Sequence, residues 1–227
     1  MLPASVSVIL IVKDGEAFIA EALQSVLQSS VQPLETLVID GGSSDRTREV
    51  AAGFPHVTVV PQSTQGLTQA YNEGIERVRG ELIAFISHDD RWLPGKLERQ
   101  LEAMREDPAL EFTVTLVRHF LELGASAPRG FRQELLDAPV PGFIMETLLA
   151  RRRCFEVVGM LDPTYRSGSD TDWFARATDL KVPHLLIPEV LVEKRVHEEN
   201  ASLLNRQSNQ QLLALLRSSV QRKRTLS

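Results

Sequence analysis

One cysteine, Cys154, stands among 227 residues, so this chain can build neither an internal disulfide nor a cysteine-based zinc site. That usage fits a reducing cytoplasm. No apolar run approaches the ~20 residues that span a bilayer. The first strand-like run begins so early that no secretory leader is expected before it. Aromatic residues make up only 6% of the chain, and Trp92 and Trp173 read as packing residues rather than sugar platforms. No basic stripe precedes the C-terminus. A formal charge of -5 and a pI near 5.6 argue against a general nucleic-acid binder, which needs a basic face to neutralise phosphate. There is no GxGxxG after the first strand and no GxxxxGKS/T anywhere, which disfavours dinucleotide dehydrogenases and P-loop phosphotransferases. What the chain does have is 43% hydrophobic residues, enough to bury the core of one α/β domain.

The apolar pattern of the first 92 residues alternates between strand and helix. Val6 to Val12 is a β-branched run, followed by helical spacing of Phe18, Ala22, Leu23, Val26 and Leu27. A second strand at residues 36–39, a short helix ending near Ala52 and a third strand at residues 57–60 come next. Leu67, Ala70, Tyr71, Gly74, Ile75 and Val78 then mark a helix stripe. Leu82 to Ile86 is an unbroken apolar run too short for a helix, as expected of an interior parallel strand. The order β-α-β-α-β-α-β predicts a doubly wound nucleotide-binding half.

Acids follow these strands at one rim. Asp14 comes after the first, Asp40 and Asp45 after the second, and His88, Asp89 and Asp90 after the fourth, behind Ser87. Ligands of open α/β sheets bind at the strands' carboxyl ends. Adjacent carboxylates beside a phosphorylated ligand repel it unless a divalent cation lies between them, which points to a metal-bridged nucleoside diphosphate. The competing structural account makes Asp40 an Asx-turn acid before Gly41 and Gly42, Asp45 a helix cap, and the residues after Ile86 a polar turn.

Past Pro94 the regular alternation ends. A helix to about residue 107, a half-exposed strand with Phe112, Val114 and Leu116 alternating, and an irregular loop over residues 124–142 are expected. Beyond them we expect a strand at residues 148–152, a short helix at 153–158, a helix at 170–177 and short strands near Leu185 and Val192. A last helix at 203–222 ends in Arg222, Lys223 and Arg224. Its apolar face, with Leu212, Leu213, Leu216 and Val220, is expected to pack on the domain or a second copy. Peripheral binding to an anionic membrane at its inner face is the alternative.

Taken together, VSVILIVKDGEAFIAEALQSVL, TLVIDGGSSD, QGLTQAYNEGIERVRGELIAFISHDDRW, LLARRRCFEVVGMLD, SGSDTDWFAR and RVHEENAS resemble, in content and order, family 2 glycosyltransferases. The resemblance implies a GT-A fold over residues 1–227: a nucleotide-binding half (1–92), an acceptor-side half (93–202) and a C-terminal helix with a basic tail (203–227). It implies that Asp14 and Asp40 lie on the nucleotide, with Asp40 accepting a hydrogen bond from the nucleobase, which suits the N3–H of uracil and hence a UDP-sugar. Asp45 is a further nucleotide-side acid. Many relatives read D-x-D-D where this chain reads Ser87-His88-Asp89-Asp90, so Ser87 supplies only a hydroxyl for the ribose or metal. Asp89 is the favoured ligand for Mn2+ or Mg2+, and a His88–Asp90 pair is the other register. His197 matches a histidine that approaches the metal or diphosphate, and Arg195 is placed to neutralise diphosphate charge.

By the same resemblance Asp170 is the general base of an inverting transfer, at a position where relatives carry an acidic pair and this chain has Ser169 before it. A cap on the helix that starts there is its structural alternative, with Asp172 an ordinary first-turn acid. The acceptor is a glycan, a lipid-linked sugar or a small molecule. A catalytically silent nucleotide-sugar-binding protein is the rival reading, motivated by Ser87 and Ser169. A nucleotidyltransferase lacks its glycine-rich loop here, and a plain interaction protein leaves the acidic rim unexplained.

Overall fold

Seven consecutive buried residues, Val6–Val12, form strand β1 in the interior of a mixed sheet. The computed structural model describes residues 5–165 and 168–198. A strand apolar on both faces needs helices on both, and its alternating side chains divide the core in two. Ile9 and Ile11 enter one cluster, and Val8, Leu10 and Val12 the other. Around β1 are α1 (Ile19–Leu27), β2 (Glu35–Asp40), α2 (Thr47–Ala52), β3 (Val57–Pro61), α3 (Leu67–Arg77) and β4 (Leu82–Ser87). The strands lie parallel in the order β3-β2-β1-β4. Helices α1 and α2 cover one face with Leu23, Val26 and Ala51, and α3 covers the other with Tyr71 and Ile75.

The second half continues the same sheet. It comprises β5 (Arg91–Trp92), α4 (Lys96–Glu106), β6 (Phe112–Phe120), α5 (Glu134–Asp137), β7 (Val140–Pro141), a 3-10 turn (Met145–Thr147), β8 (Leu149–Arg151), α6 (Cys154–Val157), α7 (Ser169–Asp179) and β9 (His184–Arg195). Strand β8 runs antiparallel between β4 and β6, β9 lies parallel to β6, and β5 closes the edge antiparallel to β9. This is the mixed α/β arrangement expected from the sequence.

Three local expectations change. Strand β6 is interior rather than half-exposed at its start: Thr113 and Thr115 are as buried as Phe112 and Val114, because β8 and β9 flank it and α4 covers its threonine face. The two short strands near Leu185 and Val192 are one strand. Its register with β6 slips where Thr115 faces Ile187 but Leu116 faces Val190, so Pro188, which has no N–H to give, sits at the irregularity. The irregular stretch 124–142 contains α5 and β7. The helix expected at 203–222 lies outside the described residues.

The topology positions the site. From β1 the chain passes to β2 on one side, whereas β4 pairs on the other, so the crevice between β1 and β4 is the switch point where such sheets bind ligands. Register aligns the ends there, with Val12 opposite Asp40 and Ile11 opposite Ser87.

Candidate active site

The loops after β1 and β2 are laced together. Asp14 sits at φ 52, a left-handed conformation that aspartate tolerates better than most residues. Its amide donates to the Ser43 hydroxyl (2.9 Å), and its carboxylate accepts from the Ser44 amide (2.7 Å) and hydroxyl (3.0 Å). The Ser44 hydrogen bonds hold the Asp14 carboxyl below the usual range. Gly15 donates to Thr47 Oγ1, and Glu16 donates to Asp45 Oδ2 at 2.9 Å. Asp45 Oδ1 also accepts from the Thr47 amide, at 3.0 Å, and from its hydroxyl. Asp45 thus braces the turn into α2, whose N-cap is Arg46, and ties the two loops together, which uses both of its oxygens. Asp40 accepts from the Ser43 amide at 3.1 Å, the turn expected of it. Its side chain is only 1% exposed beneath Arg48, whose Nε is 3.7 Å away, so a nucleobase reaching Asp40 displaces part of that cover.

After β4, Ser87, His88, Asp89 and Asp90 diverge. His88 packs against Gly15, where an added Cβ would meet its ring at 2.5 Å; burial lowers its pKa, and Nδ1 is 4.0 Å from Asp89 Oδ1. Asp89 Oδ2 is 2.9 Å from His197 Nε2. Burial works against the Asp89 charge, but the His197 hydrogen bond and Lys194 outweigh it and hold the carboxyl far below the usual range. Asp90 turns the other way. It accepts from Lys194 Nζ at 2.9 Å and from the Arg195 amide at 3.0 Å, and burial, with Asp89 and Glu146 beside it, pushes its carboxyl up. Lys194 is held protonated against burial by Asp90, Glu146 and Asp89.

Arg195 ends β9, next to Lys194. Its guanidinium is 2% exposed. It pairs with Glu21 and Glu122, donates to the Asp89 carbonyl at 2.9 Å, and lies 4.6 and 4.8 Å from the ring centres of Phe18 and Phe120. Two carboxylates and two aromatic faces hold this cation beneath Asp89, at the end of β9. Beside it a cavity of about 300 Å³ opens between Phe18, Glu122 and His197.

Asp170 stands one residue inside α7, whose N-cap is Gly168 with no side-chain capping bond, so the cap expected of Ser169 or Asp170 is absent. Among the described residues its carboxylate accepts locally, from the Thr171 amide at 2.7 Å. Burial first, and Glu146 second, push it up to about 6. Asp172 instead pairs with Arg176 at 2.7 Å, and Arg176 donates to the Val158 and Met160 carbonyls. That makes Asp172 part of the packing of α7.

Sequence reasoning missed Glu146. It lies in the 3-10 turn, 6% exposed, and accepts from Ser87 Oγ at 2.7 Å and Lys194 Nζ at 3.2 Å. Its segment showed no periodicity, and no motif singled it out. Among the described residues no group of three or more His, Cys, Asp and Glu side chains is arranged to hold a metal ion. Asp89 and His197 form a two-residue donor set of oxygen and nitrogen, and they fit a cation that completes its shell with water and phosphate oxygens, as Mg2+ and Mn2+ do.

The profile of Glycosyl transferase family 2 matches residues 7–167. An uncharacterised glycosyltransferase of Rickettsia typhi is 26% identical over 208 residues, covering 85% of this chain and 64% of its own length; the chain thus spans just under two thirds of that relative. Among solved structures, residues 1–349 of S. aureus TarS in complex with UDP-GlcNAc superpose with a TM-score of 0.69 at 18% identity, covering 87% of this chain and 60% of that one. The mannosyltransferase of Pyrobaculum calidifontis in complex with GDP-Man and Mn2+ superposes with a TM-score of 0.73 at 19% identity, covering 97% and 65%. At these identities the superpositions speak for the fold.

Proposed function

Because the chain belongs to glycosyltransferase family 2, we propose that it transfers a sugar from a nucleotide-sugar, a UDP-sugar first among them, to an acceptor hydroxyl with inversion, using Asp170 as general base. The observation that carries this reading is the state of Asp170. A carboxyl raised to about 6 is still ionised at neutral pH, yet basic enough to take a proton, the compromise a general base needs. Lys194 links this group to the strand end, since it acts on Asp89, Asp90 and Asp170 alike.

In this reading Asp170 removes the proton of the acceptor hydroxyl as its oxygen bonds to the anomeric carbon. The bond from that carbon to the diphosphate oxygen breaks, and its electron pair leaves with the nucleoside diphosphate. One displacement suffices, and no covalent nucleophile is required. Asp40 accepts an N–H of the nucleobase, and the loop holding Asp14 lines the nucleoside side. Asp89 and His197 hold the divalent cation, which when bound offsets charge on the departing diphosphate. Asp90 fixes Lys194 and the backbone of Arg195. Glycan, lipid-linked and small-molecule acceptors all meet the chemical requirement of a free hydroxyl. Among the described residues no helix is long and apolar enough to cross a membrane.

The deciding experiment is Asp170→Asn. Asparagine keeps the size and can accept from the Thr171 amide, but it takes no proton at neutral pH. Transfer is expected to fall by roughly 10² to 10⁴ while calorimetry shows unchanged nucleoside diphosphate binding. Retention of more than about a tenth of wild-type transfer would sink the assignment. A severe loss in Asp172→Asn with active Asp170→Asn would move the base to Asp172.

A further inference from the structure

The family resemblance leads one to expect an acid where this chain has Ser87, and a carboxylate does meet Ser87, delivered by another element. The turn Met145–Thr147 brings Glu146 against the end of β4, and Ser87 Oγ donates to its Oε1 at 2.7 Å. The same oxygen accepts from Lys194 Nζ at 3.2 Å, and Lys194 in turn holds Asp90 at 2.9 Å. Ser87, Glu146, Lys194 and Asp90 therefore form one hydrogen-bonded chain from three segments. A buried carboxylate costs several kcal/mol unless its lone pairs are satisfied, and a turn of this kind needs none. Its placement calls for a role other than folding.

Capacity remains in the chain. An ionised carboxylate accepts about four hydrogen bonds, and both of those named here fall on Oε1. An ammonium has three donors; Asp90 and Glu146 take two, and 22% of the Lys194 side chain remains exposed. Position supplies the ligand. On one side of the pair lies the strand end, Ser87 and Asp90 with Asp89 between them in sequence, where the diphosphate belongs. Both Glu146 and Lys194 also act electrostatically on Asp170, the base of the transferase reading. In a nucleotide-sugar, the part between the diphosphate and the point where the base works is the sugar.

We propose that Glu146 and Lys194 read the donor sugar, Glu146 accepting from one of its hydroxyls and Lys194 donating to a neighbouring oxygen, with Ser87 holding Glu146 in place. This rests on the transferase reading. It assigns sugar selectivity to two groups that are distinct from the nucleobase contact, the metal pair and the base.

The test compares sugar-linked with bare nucleotides by calorimetry, using UDP with UDP-glucose and UDP-N-acetylglucosamine, and GDP with GDP-mannose. Glu146→Gln is expected to weaken the best-bound sugar nucleotide about tenfold while changing the matching nucleoside diphosphate less than twofold, and Lys194→Met, which also removes the cation beside Asp89 and Asp90, is expected to weaken the sugar nucleotide about tenfold more than the bare one. Ser87→Ala, which takes the hydroxyl partner from the Glu146 carboxylate, is expected to give a smaller loss in the same direction. Equal losses for sugar-linked and bare nucleotide would overturn the proposal, because the pair would then serve the diphosphate or the fold, and so would no loss at all. If circular dichroism shows that Glu146→Gln is unfolded, Ser87→Ala and Lys194→Met decide by the same criterion. Nucleotide binding with no sugar-dependent difference removes this inference alone, whereas failure of the wild type to bind any of the five removes the transferase reading with it.

Discussion

Asp170 is half-buried and feels the charge of Glu146, so it is poorly placed to keep a charge of its own. Its pKa rises from 3.8 to about 6 on folding, so its neutral form is the one the fold prefers. That preference stabilises fully below about pH 4 and is lost as pH climbs through 6. Asp170→Asn, uncharged throughout, is therefore expected to be more stable than wild type at pH 8, by up to about 3 kcal/mol for two pKa units, with the difference vanishing at pH 4. Paired thermal melts across this range measure it. Identical melting temperatures at pH 8 would mean that water screens Asp170, and its fitness as a base would go with its burial. Asp89 and Asp90 divide in the same spirit. Asp90 is spoken for by Lys194 and the Arg195 amide, while Asp89 faces His197. Manganese is expected to tighten UDP binding in wild type and Asp90→Ala but not in Asp89→Ala. The reverse pattern would establish the His88–Asp90 register.

At the scale of elements, α4 carries the least expected residue. Lys96, at its first position, has no exposed surface; its ammonium lies 4.3 Å from the Trp92 ring centre and donates to Gln100 at 2.8 Å. Burial brings its pKa down to about 7. The folded state therefore resists a proton that the unfolded chain holds up to about pH 10, and this penalty is full below pH 7 and fades as pH rises towards 10. Lys96→Met is expected to stabilise the protein at pH 7 by about 1–3 kcal/mol, net of the Gln100 oxygen it leaves without its partner, and by less at pH 9.5. A variant destabilised at both pH values would show that the ammonium is needed where it lies. Nothing in KLERQLEAMRE announces this burial, because a lysine at a helix start is ordinarily solvated. The first half was legible: Val6–Val12 and Leu82–Ser87 are apolar on both faces, and such runs have one place to go. The second half was less so. The threonines of β6 hide in the core through partners such as Gln100, whose Nε2 reaches Thr113 Oγ1 at 3.0 Å, and β5 is two residues that become a strand only by pairing with β9. In the candidate site, the acids that follow strands could be seen from their position in the chain. Glu146 and Lys194 could not, because their role arises from three segments meeting, and the buried commitment of Arg195 to Glu21 and Glu122 is equally non-local.

For the molecule as a whole, the question is whether residues 5–92 and the described residues from 93 onward stand or fall together. The sheet argues that they do: β8 joins β4 of the first half to β6 of the second, and both hydrophobic clusters draw on both halves. Ion pairs run in the same direction, from Arg118 through Glu193 to Arg91, Glu21, Arg195 and Glu122, and bind α1 to β9. No seam of exposed linker separates the halves between β4 and α4, where Trp92 is itself core. The two tryptophans lie in different clusters, Trp92 with α1 and α4, and Trp173 with α6 and α7, so each can report on one face of the sheet. Trp173→Phe leaves Trp92 as sole fluorophore, and Trp92→Phe leaves Trp173. Within each variant, the fluorescence midpoint in urea is expected to coincide with that of far-ultraviolet circular dichroism, the mark of one cooperative unit. Comparing probes inside one variant makes the stability cost of either substitution irrelevant. A Trp173 signal lost at lower urea than the circular dichroism, with Trp92 persisting, would mean that the α6–α7 layer opens on its own, taking Asp170 away from Asp89 while the nucleotide side stays folded. Coincident midpoints instead mean that Asp170 and the Asp89–His197 pair share a single stability, so a ligand bound at the β1–β4 crevice would protect α7 as strongly as it protects β1.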